Sequence, residues 1–432
     1  MSTFGFRHLF SVESFDDTRV KQEILLRPVI SYLRFPLITI PCTISLMNTI
    51  PTKTSTVIIG GGVMGASTAY HLALRGVRDV VLLERDPFFG QGATGKCAGG
   101  IRYQFSTAIN VALSQLSLPM LERFEAETGQ AIDLQWPGYL IFATREADVP
   151  IFHRNIALQN SMGVPTEWLD KTAVSQRIPQ LITDDILGAS FHAGDGLADP
   201  NGVVAGYISA ARRLGVTALT ETAVIGIEQA AGKVTAVQTA QGRIECETVV
   251  NAAGPWAGQI SEMMGVTLPL TAVRRQIVTT TPVPSIARDL PFVIDFATGL
   301  YFHREGEGVL TGMGNPDQAA GFDETVDVDW EDVHLDAAIA RFPLLAQAGL
   351  LANWAGLYEN TPDAHPIIGA VEQVDGYFAM TGFSGHGFMH GPAAGLLLAE
   401  IMLDGKAHTL DISSLGNGRF AAGKLIKEYN VI

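Results

Sequence analysis

The chain has 432 residues, 47% of them hydrophobic and 17% charged, with a net charge of −15 at pH 7. That length can fold around more than one core, and that acidity argues against nucleic acid or an anionic membrane surface as partner, though not against a small anionic substrate, which local charge decides. Three cysteines, Cys42, Cys97 and Cys246, show no C-x-x-C spacing; they give no metal signature and fit a reducing compartment.

Residues 35–52, "FPLITIPCTISLMNTIPT", carry no charge, but Pro36, Pro41 and Pro51 make them a poor membrane helix. Arg27 and Arg34 interrupt the apolar run before them, and Glu13, Asp16, Asp17 and Glu23 are too acidic for a typical transit peptide. Met47 would give a start a few residues before the first strong strand. Residues 1–46, and the linker to residue 53, are therefore expected to be a poorly ordered extension. A signal, an anchor or a folded extra element are the alternatives; no stable membrane span is expected.

From Thr54 to Arg85 the sequence reads strand, glycine turn, helix, strand. Val57, Ile58 and Ile59 suit a buried parallel strand. Gly60, Gly62 and Gly65 form G-x-G-x-x-G: a tight turn, a close approach to a pyrophosphate, and tight helix–strand packing. Val63 and Met64 begin the helix, whose N-terminus offers free N–H groups to phosphates. Glu84 ends the second strand 24 residues after Gly60, placed to accept from ribose hydroxyls and to repel a 2′-phosphate. A dinucleotide other than NADP is the expectation; an ordinary βαβ turn is the alternative.

Residues 90–100, "GQGATGKCAGG", should form a loop near the cofactor. Apolar spacing predicts helices over 110–127 and 146–162, and a strand over 138–144. Residues 188–215 read as a strand, a polar loop and a helix starting near Asp199 and Pro200. Short strands follow at 223–229, 233–239 and 242–246, then a buried strand and second glycine turn in "CETVVNAAGPWAG" (246–258). Residues 271–281, 291–304 and 308–313 look like strands of a mixed or antiparallel sheet. Residues 376–405 are another strand, glycine turn and helix. Dinucleotide-domain pieces thus sit at the start, middle and end, with β-rich pieces between; a cofactor across the interface suits that arrangement.

Three stretches in order, "VIIGGGVMGASTAYHLALRG", "VVNAAGPWA" and "GFSGHGFMHGPAAGLLLAE", resemble the FAD-dependent amine and amino-acid oxidoreductases, of D-amino-acid oxidase, glycine oxidase and sarcosine oxidase type. The resemblance covers residues 54 to about 404. "GGIRYQFS" (99–106) and "TPDAHPIIG" (361–369) are similar to the β subunits of sarcosine oxidase and of proline dehydrogenase. The resemblance implies a mixed α/β fold: a Rossmann-type FAD domain (54–100, 188–258 and 360–432) interleaved with a substrate domain on a large mixed sheet (101–187 and 259–359). It implies oxidation of a C–N bond of an amine or amino acid, such as sarcosine, proline, glycine or a D-amino acid, with hydride passing to flavin. A non-catalytic FAD-binding assembly or scaffold protein of the same fold is the alternative.

On the same resemblance, the FAD contacts fall on Gly60, Gly62, Val63, Met64, Gly65, Glu84 and Arg85, then on Ala93, Thr94, Ala98, Gly99 and Gly100. Further contacts are expected at Val224, Ala253, Gly254 and Trp256, and in the last turn at Gly382, Gly385, His386, Gly387, Phe388 and Met389. The following helix, from about Pro392, would aim its positive end at the flavin. Positions where relatives tether flavin covalently hold Gly356 and Lys96 here, and Pro200 falls where a second flavin would attach; non-covalent FAD, with no covalent FMN and no metal, is expected.

Arg102 falls where related enzymes bind the substrate carboxylate, a task suited to its planar fork; a structural ion pair or cofactor contact is the alternative. His386 is placed to touch flavin or polarise substrate, or else to brace its loop. Tyr301 and His303, two apart on one strand face, could line the substrate cavity or be ordinary strand residues. Met389 replaces a lysine that binds carboxylate in sarcosine-oxidising relatives, which weakens the case for sarcosine. No lysine occurs between Lys233 and Lys406, so the positive charge that speeds oxygen reduction would have to come from Lys96 or His386, and a dehydrogenase is slightly favoured. The expected partners are an amine or amino acid, oxygen or a redox protein as electron acceptor, and a companion subunit; the expected location is cytoplasmic.

Overall fold

The structure, a computed structural model, describes residues 50–430. Most of the expected N-terminal extension lies outside the described residues. Residues 50–53 do not behave as a loose linker: Lys53 bridges Glu245 in parallel register and their side chains pair at 2.7 Å.

Among the described residues, a six-stranded sheet runs in the order Ile367–Ala370, Tyr377–Thr381, Thr248–Asn251, Thr56–Ile59, Val80–Leu83, Thr217–Leu219. All neighbours are parallel except the Ile367–Ala370 edge. Thr56–Ile59 and Val80–Leu83 are buried at every position, as continuous apolar runs in a parallel sheet should be. The helices Val63–Leu74, Pro200–Arg213 and Gly387–Asp404 pack together on this side of the molecule.

An eight-stranded sheet forms the other layer, in the order Leu350–Asn360, Thr271–Thr280, Gly308–Gly312, Tyr301–Glu305, Phe292–Asp295, Tyr139–Ala143, Gly188–His192, Glu167–Leu169. Its pairs are antiparallel except Phe292–Asp295 with Tyr139–Ala143. Gly188–His192 lies in this sheet, so the first residues of the 188–258 segment sit on the substrate side and not with the dinucleotide strands.

Several expectations needed revision. Residues 291–304 form two strands, separated by a turn in which Gly299 takes φ +71°. The helix expected over 110–127 spans Ala108–Glu122 and restarts at Phe124–Thr128. The helix expected near Pro392 begins five residues earlier, at Gly387, and carries Pro392 inside. Proline was read as a helix start, but tight packing against Val63–Leu74 and Ala108–Glu122 holds the extra turn. The strand Leu350–Asn360 and the helix Val328–Arg341 have no clear period in sequence; the strand is an edge whose first four residues are exposed, so no alternation marks it.

The contact between Val63–Leu74 and Gly387–Asp404 depends on two glycines. A Cβ on Gly391 would lie 2.6 Å from the Val63 side chain, and one on Gly395 would lie 2.2 Å from Ser67 Oγ and 2.7 Å from its backbone carbon. Gly395→Leu is therefore expected to separate the helices at a cost of about 1–3 kcal/mol or more, read as a lower thermal midpoint together with weaker cofactor retention.

Candidate active site

The turn after the first strand is built as its glycines demand. Gly60 takes φ +106°, and a Cβ there would lie 2.3 Å from the Ala252 carbonyl oxygen. A Cβ on Gly65 would lie 1.9 Å from Gly60 O, so the third glycine sets the helix–strand approach and does not itself line the cleft. The helix Val63–Leu74 has no cap from its own N-cap residue Gly62 and no acid in its first turn; Thr94 Oγ1 accepts from Val63 N at 3.2 Å, and the partial positive charge of the helix start faces the cleft. Glu84 is held rigidly: Gly61 N donates to Oε2 at 2.7 Å and Asp86 N to Oε1 at 2.9 Å.

One cleft runs from this turn to the large sheet. Gly60, Gly62, Val63, Met64, Glu84 and Arg85 line its first part, with Ala93, Thr94, Ala98, Gly99 and Gly100 from the following loop. Val224, Ala253, Gly254 and Trp256 line its middle, and Gly385, His386, Gly387, Phe388 and Met389 its far end. Gly382 lies outside the lining; its φ is +78°, and a Cβ would meet Thr361 at 2.5 Å, so it shapes the turn from behind. The helix Gly387–Asp404 also starts without a side-chain cap or an early acid. Two helix N-termini, neither with an acid in its first turn, thus meet one cleft.

At the large-sheet end the structure rearranges the expected roles. Arg102 lines the cleft and is 5% exposed. Its two terminal nitrogens donate to the carbonyl oxygens of Gln104 and Asn430, the latter at 2.5 Å, and its guanidinium lies 4.0 Å from the Phe105 ring centre. Burial lowers its pKa, but the neighbouring acidic groups of Tyr139, Glu428 and Asp195 act in the other direction. Arg102 is thus largely committed to the fold. Arg275, which no local motif marks, lines the same cleft with a buried Nε that has no partner among the described residues; its guanidinium donates from Nη1 to Arg274 O at 3.0 Å.

Tyr301, Tyr139 and Tyr358 line the same cleft, with Tyr301 and Tyr358 near Arg275. Each lies flush against a glycine. A Cβ on Gly100 would fall 1.7 Å from Tyr139 Oη, one on Gly312 2.3 Å from the Tyr301 ring, and one on Gly385 2.3 Å from the Tyr358 ring. Burial pushes all three phenols above their ordinary range, so they stay neutral hydrogen-bond donors. The Arg275 guanidinium lies 5.3 Å from the Tyr358 ring centre. Glu359 completes this wall, and burial pushes its carboxyl up to about 7.

His303 is not in the lining. Its Nδ1 lies 2.8 Å from Arg304 O and its Nε2 3.1 Å from Ala98 O, so it ties the sheet to the 90–100 loop. His386 is 2% exposed and neither ring nitrogen has a partner; its ring meets Phe105 and His390 edge-on. Burial pulls His386 down to about 3, and His71, His303 and His334 down to about 4. The folded protein keeps these rings neutral while an unfolded chain protonates them below about pH 6.5. Stability should therefore fall as pH drops from about 6.5 towards 4, because the unfolded state binds more protons there. Denaturant titrations at several pH values will show this, and His334→Gln should remove about one proton from the slope.

One candidate positive charge is spoken for. Lys96 Nζ pairs with Glu324 at 2.8 Å, and its stem covers Gly356, where a Cβ would lie 2.9 Å from Lys96 Cβ. Cys97 also lines the cleft, but burial pushes its thiol up to about 11, which keeps it protonated and unreactive.

Residues 55–401 match the model of the family described as DAO: FAD dependent oxidoreductase. The chain belongs to this family. It is 30% identical over 388 residues to mouse dimethylglycine dehydrogenase, mitochondrial, covering 85% of this chain and 44% of that protein. It is 29% identical over 369 residues to mouse pyruvate dehydrogenase phosphatase regulatory subunit, mitochondrial, covering 82% of this chain and 42% of that one. The chain therefore spans less than half the length of these two relatives. The crystal structure of L-proline dehydrogenase from P. horikoshii superposes with a TM-score of 0.81 at 32% identity, covering 87% of this chain and all of that one. Membership of this family and its mixed α/β fold are thereby shown. The cleft fits FAD in its own terms: Gly60, which admits no Cβ, two helix N-termini without an acid in their first turn and a fixed acid, Glu84.

Beyond the expected residues, the cleft takes in Tyr139, Arg275, Phe292, Tyr358 and Glu359. Their strands come from distant parts of the chain, and no local motif marks them. The one available signal was Arg275 itself, a charged residue inside an otherwise β-rich run.

Proposed function

We propose that the chain is an FAD-dependent oxidoreductase that oxidises the C–N bond of a secondary amine or amino acid. The observation that carries this reading is Arg275: a guanidinium with an unpartnered buried nitrogen beside two neutral tyrosines, Tyr301 and Tyr358, in a cleft that Tyr139 also lines. A substrate carboxylate matches that fork and its charge. Arg102 adds positive potential from behind while staying bonded to its carbonyls. Tyr301, Tyr139 and Tyr358 donate hydrogen bonds and exclude water, which favours the neutral amine needed before the α-hydrogen leaves. Met389 and Phe388 give an apolar wall for the substrate's carbon skeleton. FAD, when bound, supplies the acceptor for the hydride.

The residues lining the cleft favour non-covalent FAD: Gly356 has no nucleophile, Lys96 is paired and the Cys97 thiol is protonated. Lys96 and His386 also fail to supply a free positive charge, the first through Glu324 and the second by staying neutral, which supports a dehydrogenase that hands electrons to a protein or other acceptor. No helix of the described residues is long and apolar enough to cross a membrane. Cys97 and Cys246 are free thiols, in keeping with a reducing compartment such as the cytoplasm.

The test is anaerobic addition of sarcosine, L-proline, D-proline, glycine and D-alanine to the purified holoprotein. Bleaching of the flavin by one of them identifies the substrate class, and admitting air then separates oxidase from dehydrogenase. If none bleaches it, the second reading, a non-catalytic FAD protein, takes over; the similarity to a protein named as a regulatory subunit keeps that reading open.

A further inference from the structure

The segment 313–327 joins the strand Gly308–Gly312 to the helix Val328–Arg341. Its base is anchored to the large sheet. Gly321 N donates to Ala272 O at 2.9 Å, and Arg274 bonds Asp323 Oδ2 at 2.9 Å, Thr325 O at 2.8 Å and Asp327 Oδ2 at 3.1 Å. Between these anchors it reaches across to the dinucleotide side at two points. Glu324 pairs with Lys96 at 2.8 Å, and the Phe322 ring lies nearly parallel to Trp256 with centres 6.0 Å apart. Lys96 and Trp256 both line the cleft, as does Arg85, whose guanidinium sits 3.6 Å from the Trp256 ring centre.

Anchors and reaching side chains alternate along 321–325, so the backbone that carries Phe322 and Glu324 is held to the sheet while their side chains meet the opposite wall. Lys96 and Glu324 are 28% and 26% exposed and Phe322 is 44% exposed, so both contacts are partly wet and individually weak.

We propose that 313–327 is a strap across the cleft, and that Glu324 and Phe322 retain the bound dinucleotide by holding Lys96 and Trp256 in its walls. The inference rests on the cleft being the FAD site. A partly exposed ion pair and one aromatic contact each slow release by only a few-fold, so the strap acts on a rate and does not decide whether the cofactor binds at all.

The measurement is the rate of FAD release from the holoprotein, followed by the rise in flavin fluorescence after dilution into a flavin-trapping protein. Glu324→Gln should speed release about threefold at low salt, and that gain should vanish near 0.5 M salt, where the pair is screened. Lys96→Met should match it, and the double variant should add nothing further. Phe322→Ala combined with Glu324→Gln should reach about tenfold. Apoprotein melting midpoints close to that of the parent will show that the variants fold. Release rates within twofold of the parent for the Phe322/Glu324 double variant overturn the strap while leaving the FAD reading intact. A protein that neither carries nor takes up FAD overturns both.

Discussion

Arg275→Met should lower kcat/KM for an amino-acid substrate by roughly 30- to 3000-fold, with most of the loss in KM. The reason is the chemistry of the site: a carboxylate brought into a closed pocket loses water and needs its charge met there. Removing one partner of such a buried, hydrogen-bonded pair costs about 2–5 kcal/mol, and each 1.4 kcal/mol is tenfold. Arg275→Lys should recover part of this, because an ammonium keeps the charge but not the planar fork. The same variant should bind an amine without a carboxylate as well as the parent does. This separates Arg275 from a merely structural role, since a collapsed pocket would lose both ligands. A KM unchanged within threefold would transfer the anchoring role to Arg102, whose terminal nitrogens would then have to leave Gln104 and Asn430.

Gly60→Val should give a colourless protein. At this position φ is +106° and the added Cβ would stand 2.3 Å from Ala252 O. A side chain therefore faces two independent penalties. The left-handed backbone costs about 1–2 kcal/mol, and the overlap forces the first strand and the 252–254 turn apart. Those two segments form adjacent walls of the cleft, so FAD affinity should fall at least about 100-fold, a loss of roughly 3 kcal/mol or more. Gly258→Ala is the matched control: nothing lies within 4 Å of its added Cβ and its backbone is not left-handed. Normal FAD content in Gly60→Val would mean that the dinucleotide does not use this turn.

The sequence by itself determined the parts of this protein whose physics is local. The strand, glycine turn and helix from Thr56 to Leu74 follow from β-branched residues, from glycines at fixed offsets and from a helix start, all within twenty residues. Glu84, Trp256 and the 382–389 turn were legible for the same reason, since each sits at the end of a strand with its own glycine signal. What the tertiary structure alone decided is the substrate end of the cleft. Arg275, Tyr301 and Tyr358 lie on three strands, and the register that pairs Arg275 with Gly356 is set by the whole antiparallel ladder. Tyr139, Tyr301 and Tyr358 fit because Gly100, Gly312 and Gly385 leave space for them; Gly312 faces Tyr301 across a hairpin, while Gly100 and Gly385 are remote in sequence from the rings they admit. His303 and Arg102 show the same limit from the other side. Their residue types suited a substrate site, but close contacts with the carbonyl oxygens of Ala98 and Arg304 for His303, and hydrogen bonds to those of Gln104 and Asn430 for Arg102, draw them into the framework. A side chain's role here depends on which backbone oxygen it meets, and long-range strand pairing decides that.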